Sequence, residues 1–455
     1  MRRFSTALGA ALAVALTPAA AAHAAVARTQ FVAPHTGEAK LAFTASAPGT
    51  DWGSAGREAA LLDVSVDDRV VAHVVTFAGA QPFTYRTALG RVAAGRHTVA
   101  VQLDAEKSPA GVDKAKVRDL EPSVAPADDL VARYAPVLYG RNLPEIPGEF
   151  ENNHTDVPLL AYHTSSPDAA GNRTIEYTVI WSNEDGGTNT PALMARWGRT
   201  TDIEWIYRVT VDPAGRRLAD AYQAANHATL PFDGAREGDH PLLQTATANN
   251  NTSAVTDPAV TSGYRFFLDT AAELPAGRAR EVEMDLHPWS YQVMAKEMAR
   301  EGKVEQPPSA DTPEMSDQRD YLFAEVKKAT SYPTPPAPNT WVGTALQVKL
   351  RGSDRWYSSN HGMPDWSIQR DDPAATTVEL PPGSTPADIE AVKAVAVPVA
   401  APPAPAPSDY RIVVTFINRG FMLDPSYLPG ASFLSWQGSE ELTPARPEAV
   451  LWQAG

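Results

Sequence analysis

The sequence predicts a mainly β protein, in which a small N-terminal β-sandwich precedes a larger β-rich, sandwich-type domain with a few helices. Three observations favour this fold class. Short runs in which apolar and polar residues alternate recur along the chain, as in half-buried strands. Turn-forming residues separate them, most clearly at Asp67 and Asp68. Helical spacing of apolar residues is confined to two segments, 291–301 and 317–329.

The first 24 residues fit a secretory signal peptide. Arg2 and Arg3 form a basic start, residues 7–16 are apolar, and residues 22–24 read Ala-His-Ala, a pattern typical of signal cleavage. No later stretch reaches the roughly 20 apolar residues that a membrane-spanning helix needs. We therefore expect a secreted bacterial protein without a transmembrane segment, and its oligomeric state stays open.

Composition excludes several classes of function. The 455 residues include no cysteine, which excludes thiol nucleophiles, cysteine–zinc sites and iron–sulfur clusters. The formal net charge is −15, so a nucleic-acid partner is not expected, because such binding needs Lys and Arg to neutralise phosphates. Neutral polymers, cationic ligands and Ca²⁺ stay open. Motifs of nucleotide-binding folds and of the serine hydrolase elbow are absent.

Residues 28–122 are predicted to form the small β-sandwich. Segments 60–66 and 69–77 read as strands of one hairpin, and segment 95–103 alternates, with His97, Val99, Val101 and Leu103 on one face. The pattern of segment 95–103 resembles the closing strand of carbohydrate-binding and immunoglobulin-like sandwich modules. A sandwich that binds no ligand is the alternative.

Residues 130–455 are predicted to form the main β-rich domain, after a polar linker at 121–129. Strands are expected at 175–181, 202–211, 346–350 with 356–357, and 410–417. The Pro-rich segments 333–338 and 398–407 either divide this domain, with a subdivision near 333–340, or form surface loops.

The segment 181–208 concentrates charged residues and tryptophans between two predicted strands. Period-two alternation in 202–211 predicts that Asp202, Glu204 and Arg208 share one face. Carboxylates two residues apart lie about 7 Å apart on a strand, a spacing that suits a shared cation or an acid–base pair acting on a glycan. We predict these three residues to be catalytic; a solvated strand face is the alternative. The opposite, core-facing side is predicted to carry Ile203, Trp205, Tyr207, Val209 and Val211.

The connection before this strand supplies candidate ligands. Glu184 and Asp185 place oxygen atoms beside two glycines, which suits Ca²⁺ or another divalent cation, and His240 is a further candidate metal ligand. A turn that caps its own backbone is the alternative.

The long, irregular connection also contains a candidate substrate-binding surface. Trp197 is predicted to stack on a sugar ring or a cationic group, with Arg196 and Arg199 beside it as further substrate contacts. The alternative is that Trp197 fills the core beneath the loop.

Two short stretches carry a family resemblance. Residues 134–139 read Tyr-Ala-Pro-Val-Leu-Tyr, and residues 202–204 read Asp-Ile-Glu. They resemble vacuolar-protein-sorting-62-like β-sandwich proteins and their distant relatives, the necrosis-inducing proteins. The resemblance implies that Asp202 and Glu204 ligate a divalent cation. The histidines that precede the acidic pair in those families are absent here, where residues 197–201 read Trp-Gly-Arg-Thr-Thr.

Three functional hypotheses follow. The first is a secreted hydrolase or lyase that acts on an extracellular polysaccharide or another cell-envelope component through paired carboxylates. The alternative is a non-catalytic secreted protein that binds a glycan or a lipid through its two β units, with or without Ca²⁺. The third is a metal-dependent hydrolase whose ligands include His240 and the acidic pair.

Overall fold

The computed structural model describes residues 27–141, 152–184 and 189–455, and these residues form 26 strands and four α-helices. The predicted mainly β fold is confirmed. The predicted signal peptide lies outside the described residues. Within the described ranges, no helix is both long and apolar enough to cross a membrane.

The N-terminal sandwich consists of two antiparallel sheets whose inner faces share one core. In chain order its strands are β1 (Ala27–Ala33), β2 (Gly37–Ser46), β3 (Leu61–Val66), β4 (Arg69–Val75), β5 (Phe83–Val92), β6 (Gly95–Leu103) and β7 (Lys116–Val124). The sheet orders are β1-β6-β3-β4 and β5-β2-β7. Asp67 and Asp68 have φ angles of 49° and 66°, which a two-residue hairpin turn requires, so the predicted hairpin is confirmed. Strand β7 extends to Val124, so the first part of the predicted linker is wrong.

A middle region follows, with two sheets and all four helices. Its elements are α1 (Leu130–Tyr134), β8 (Val137–Tyr139), β9 (Pro158–Pro167), β10 (Arg173–Trp181), α2 (Thr190–Trp197), β11 (Asp202–Val211), β12 (Arg217–Ala224), β13 (Ala228–Pro231), β14 (Arg236–Glu237), β15 (His240–Thr245), β16 (Thr252–Ala254), β17 (Arg265–Phe266), β18 (Ala272–Glu273), α3 (Val282–Leu286) and α4 (Trp289–Arg300). One sheet has the order β13-β12-β11-β10-β9-β18. The other has the order β14-β15-β8-β17, and β16 also pairs with β15.

The C-terminal sandwich contains the remaining strands. They are β19 (Tyr321–Ser331), β20 (Trp341–Leu350), β21 (Trp356–Ser358), β22 (Ala374–Glu379), β23 (Ile389–Val399), β24 (Arg411–Phe421), β25 (Leu434–Leu442) and β26 (Glu448–Gln453). Its sheets have the orders β22-β19-β24-β25 and β21-β20-β23-β26. Strands β19 and β20, on either side of segment 333–340, contribute to one core, and the subdivision predicted there stays a prediction.

The hydrophobic core has two large parts. One joins the N-terminal sandwich to the middle region and runs from Ala33 to Val293. The other lies inside the C-terminal sandwich, from Leu322 to Leu451. A smaller cluster, which includes Met294 and Phe323, packs the middle region against that sandwich. One core runs across the domain boundary predicted at 122–130. That boundary stays a prediction.

One predicted helix is present and the other is wrong. The helix predicted at 291–301 is α4, but residues 318–320 form a short 3₁₀ turn and residues 321–331 form strand β19. Leu322 and Val326 enter the C-terminal core, whereas Tyr321 and Phe323 face the middle region. A strand buried on both faces has no polar alternation, so its apolar positions can match a helical stripe.

A buried polar contact fixes the N-terminal sandwich against α4. Trp52 is fully buried in the connection between β2 and β3, and its indole N–H donates to Glu297 Oε2 at 2.5 Å. Arg300 forms an ion pair with the same carboxylate and donates to the Trp52 carbonyl at 3.1 Å. Glu297 is therefore the shared acceptor of an indole and a guanidinium.

We expect Glu297→Ala to lower the free energy of unfolding by about 1–3 kcal/mol, because the buried indole N–H of Trp52 loses its acceptor and Arg300 keeps only Glu301, 3.7 Å away, as an ionic partner. Urea unfolding followed by tryptophan fluorescence measures this. Glu441→Ala, which breaks the exposed pair with Arg411, is the control and should cost less than about 1 kcal/mol. Equal losses of unfolding free energy in the two variants would contradict the role of Glu297 as a shared buried acceptor.

Candidate functional site

Strand β11 contains a β-bulge that changes the predicted site. Tyr207 pairs with Tyr177 and Trp205 pairs with Thr178, so Ile206 is an extra residue on β11. One extra residue reverses the alternation of side chains along the strand. The predicted assignment of faces is therefore wrong: the side chains before Ile206 lie on the opposite face from the one that unbroken alternation gives.

The bulge separates the three predicted catalytic residues. Asp202 and Glu204 lie on the face of Tyr207, and Arg208 lies on the other face. Arg208 stacks on Trp205, with 4.6 Å from its guanidinium carbon to the ring centroid, and its Nε donates to Glu176 at 2.8 Å. Arg208 thus contacts Trp205 and Glu176, and it lies on the other face of the sheet from the acidic pair.

Asp202 is fully buried and Glu204 is 8% exposed. Neither carboxylate oxygen of Asp202 has a hydrogen-bond donor within the described residues. Burial, and then the charges of Glu184 and Glu204, raise the pKa of Asp202 well above its usual value, which Arg199 only partly opposes. A carboxyl group in this position has little contact with solvent.

Glu204 is the member of the pair that connects to the surface. Its Oε2 accepts a hydrogen bond from Gln223 Nε2 at 2.5 Å, and His227 Nδ1 lies 3.7 Å away. The His227 side chain is 54% exposed and its Nε2 lies 3.2 Å from Asn249 Nδ2. Sequence reasoning missed Gln223 and His227, because β12 and the turn after it meet β11 only in the folded sheet.

The predicted metal ligands have different partners. Glu184 accepts from Arg199 at 2.9 Å, and His240 is buried with its Nε2 3.0 Å from Glu38 and its Nδ1 2.9 Å from the Ala135 carbonyl oxygen. Asp185 lies outside the described residues. The predicted metal roles of these residues stay untested.

A different group of metal-ligating side chains does converge. Among the described residues, Asp63, His73 and Asp104 form a group whose ligand atoms all lie within 4.8 Å of one another. Asp104 already binds the Lys107 ammonium at 2.6 Å and accepts two backbone N–H groups. His73 Nδ1 accepts the backbone N–H of Arg265 at 2.7 Å. The protein's own donors therefore satisfy most of this group.

The predicted irregular connection contains helix α2. Asn189 caps its N-terminus and Gly198, with φ of 64°, ends it, so the expectation of an irregular segment is wrong there. The last turn carries Arg196 and Trp197. The guanidinium carbon of Arg370 lies 3.8 Å from the Trp197 ring centroid, so Trp197 supports an arginine and is not an open platform for a sugar.

Arg199 is also not available as a surface contact. It is 1% exposed, and its Nε and Nη1 donate to Glu281 at 3.4 Å and to Glu184 at 2.9 Å. Arg199 thus neutralises buried carboxylates, whereas Arg196 lies partly at the surface.

A cavity of about 430 Å³ lies between the N-terminal sandwich and the middle region, and we call it the aromatic cavity. The rings of five phenylalanine, tyrosine and tryptophan residues line it: Phe77, Phe83, Tyr85, Phe266 and Trp289. The rings of Phe77 and Trp289 stack with centroids 4.4 Å apart, and Phe83 meets Trp289 edge-on at 5.5 Å. This wall therefore joins residues of the N-terminal sandwich to the first residue of α4.

The remaining lining is apolar on one side and polar at a few points. Leu159, Leu160 and Leu268 are among the apolar residues, and the charged side chains are Arg86 and Asp269. Asp269 pairs with Lys40 at 3.0 Å. Arg86 is exposed and forms no ion pair in the described part of the chain. The alternation of Phe83 and Tyr85 in strand β5 is the sequence signal for this wall.

Comparison with known proteins adds little. No protein-family model matches the chain, and no curated protein matches it. One similar solved structure is the C-terminal domain of EclA, a sugar-binding protein, with 11% identity over 22% of this chain and 68% of that chain and a TM-score of 0.17. Another is the tandem CBM51 modules of Sp3GH98, the family 98 glycoside hydrolase from Streptococcus pneumoniae SP3-BS71, with 10% identity over 78% of this chain and 72% of that chain and a TM-score of 0.12.

Likenesses this weak do not bear on what the chain binds. The resemblance to vacuolar-protein-sorting-62-like and necrosis-inducing proteins stays a prediction.

We expect Asp202→Asn to raise the free energy of unfolding near neutral pH by about 1–3 kcal/mol, because a neutral amide replaces an unpaired buried carboxyl. The raised pKa of Asp202 means that its folded state favours the protonated form. The Asp202 side chain therefore begins to destabilise the folded protein above the unfolded pKa, at about pH 4, and this effect grows as the pH rises. Thermal unfolding from pH 4 to 8 in EDTA measures the difference.

Asp212→Asn, at a half-buried carboxylate in the turn after β11, is the control. Hydrogen bonds from Arg216 lower the pKa of Asp212, so its stabilising effect is complete above the unfolded pKa, and this variant should be less stable than the wild type by a nearly constant amount from about pH 4 to 8. A less stable Asp202→Asn in EDTA would contradict the expectation. If the acidic pair holds a divalent cation, added Ca²⁺ will instead stabilise the wild type and not the variant.

Proposed function

We propose that this protein is a non-catalytic binding protein that holds a small, mainly apolar ligand with an acidic end in the aromatic cavity. Of the glycan and lipid ligands predicted for a binding protein, this proposal corresponds to the lipid. One observation carries it: an apolar cavity of about 430 Å³ is walled by rings from two β units. We also propose that the first 24 residues export the protein, so that it meets its ligand outside the cell.

The size and lining of the cavity suit such a ligand. Sites for small organic molecules usually have volumes of about 300–1,000 Å³, mainly apolar walls and a few polar groups, and they often lie between domains. Phe83 and Trp289 are half-buried, so each ring still offers surface to a bound molecule. Burying apolar surface of a ligand against these rings is favourable by roughly 25 cal/mol per Å².

The charges at the cavity are the reason for proposing an acidic end on the ligand. Asp269 is neutralised by Lys40, whereas Arg86 forms no ion pair within the described ranges. A carboxylate or another oxyanion on the ligand can pair with this free guanidinium while the apolar part enters the cavity.

The burial of the acidic pair supports binding over glycan hydrolysis. Hydrolysis by paired carboxylates requires both groups to flank the scissile bond. Asp202 is fully buried and Glu204 is 8% exposed, so a polymer in solution has little access to them.

A fluorescence titration tests the proposal. The probe is 8-anilinonaphthalene-1-sulfonate, which combines an apolar aromatic body with one anionic group. We expect saturable binding by the wild type and displacement of the probe by decanoate but not by maltohexaose. Displacement by maltohexaose alone would favour a glycan ligand, and absence of saturable binding would overturn the proposal.

We expect Ala271→Phe to weaken probe binding by about tenfold or more, because Ala271 is an exposed residue of the cavity wall and a phenyl ring there occupies ligand volume. Ala276→Phe is the matched control: Ala276 is also exposed and lies five positions further along, outside the lining of this cavity. Equal probe affinity in the two variants would place the probe elsewhere.

A further inference from the structure

Four arginines surround the indole of Trp197. The distances from guanidinium carbon to ring centroid are 3.8 Å for Arg370, 4.9 Å for Arg280, 5.6 Å for Arg199 and 6.0 Å for Arg196. These residues, which we call the arginine cluster, come from α2 and the segment after it, from the segment before α3 and from the C-terminal sandwich. Only two of them, Arg196 and Arg199, were predicted to bind a ligand.

The described carboxylates do not balance this charge. Glu281 lies 3.4 Å from Arg199, 3.7 Å from Arg280 and 3.8 Å from Arg370, so one carboxylate serves three guanidinium groups. Glu184 pairs with Arg199, which is already buried. Arg196 has no carboxylate within ion-pair distance in the described part of the chain. Among the described residues, the four guanidinium groups thus have two carboxylates within ion-pair distance.

Two further observations show the excess of positive charge at Arg370. Its Nη2 is buried without a hydrogen-bond partner among the described residues. Burial lowers the pKa of Arg370 to about 10, and repulsion from Arg280, Arg199 and Arg196 contributes to this. Arg370 still carries its charge near neutral pH, so an added anion would be stabilised there.

The stacked guanidinium of Arg370 retains a donor for an oxyanion, whereas Nη1 of Arg280 already donates to the carbonyl of Ile203. A guanidinium on an aromatic face keeps its N–H groups in the ring-parallel plane, where they can donate to an oxyanion. Arg370 Nη1 donates to the carbonyl of Arg196 at 2.8 Å, which fixes its orientation, and Nη2 lies 3.8 Å from Glu281 without a hydrogen-bond partner among the described residues.

We propose that the arginine cluster binds one oxyanion, a carboxylate or a sulfate, of a small or sparsely charged ligand. Arg196, Arg280 and Arg370 donate to it, and the indole of Trp197 orients their guanidinium groups. A dense polyanion is excluded from this role, since a net charge of −15 repels it beyond the cluster. This site is separate from the aromatic cavity, and its existence does not depend on the ligand proposed there.

Calorimetric titrations at constant ionic strength test the site, with sodium sulfate, sodium glucuronate and glucose as ligands. We expect sulfate or glucuronate to bind saturably and glucose not to bind. Binding of glucuronate alone assigns the site to carboxylates, and binding of both assigns it to oxyanions in general. If neither anion binds saturably to the wild type, the proposal is wrong and the arginine cluster is structural.

Arg196→Gln and Arg370→Gln should each weaken anion binding by about tenfold or more, because each removes one charge-assisted contact. Arg196 has no ion pair to lose, so its variant should fold normally even if that of Arg370 does not. Arg411→Gln, an exposed arginine paired with Glu441, is the matched control and should leave the affinity unchanged. An affinity in Arg196→Gln equal to that of the control would overturn the assignment.

Discussion

Helix α4 holds the N-terminal sandwich against the middle region, and the aromatic cavity depends on this contact. The first residue of α4, Trp289, stacks on Phe77, and Glu297, two turns further along, accepts the indole N–H of Trp52. One helix therefore makes an apolar and a polar contact with the same sandwich. Because no cysteine is present to join the two units, such buried contacts must fix their relative position.

This arrangement also explains why the cavity stays open at its centre. The rings of Phe77, Phe83 and Tyr85 pack on one another and on Trp289, so each ring is held by its neighbours rather than by a filled interior. Aromatic pairs in these geometries contribute about 0.5–1.5 kcal/mol each beyond the area that they bury. Rings supported in this way can line a cavity without collapsing into it.

Local sequence patterns predicted much of the fold but little of the candidate site. Strands β6 and β11 lie where alternation predicts them, because a half-buried strand leaves a period-two pattern. Strand β19 was predicted as a helix because both of its faces are buried. The bulge at Ile206 leaves no mark in the sequence of β11, since it is defined by pairing with β10, and it alone reverses the faces of Asp202 and Glu204.

The two candidate binding sites share a position that sequence patterns do not reveal: each lies where the middle region meets a neighbouring sandwich. The aromatic cavity takes residues from β5 and α4, and the arginine cluster adds Arg370 of the C-terminal sandwich to Trp197 of α2. At the second junction, Thr376 and Thr377 of β22 donate to backbone carbonyls of α2 at 2.6 and 2.9 Å, which fixes that helix. The aromatic cavity is mainly apolar and the arginine cluster is cationic, and a ligand at either would contact two units at once and stabilise their contact.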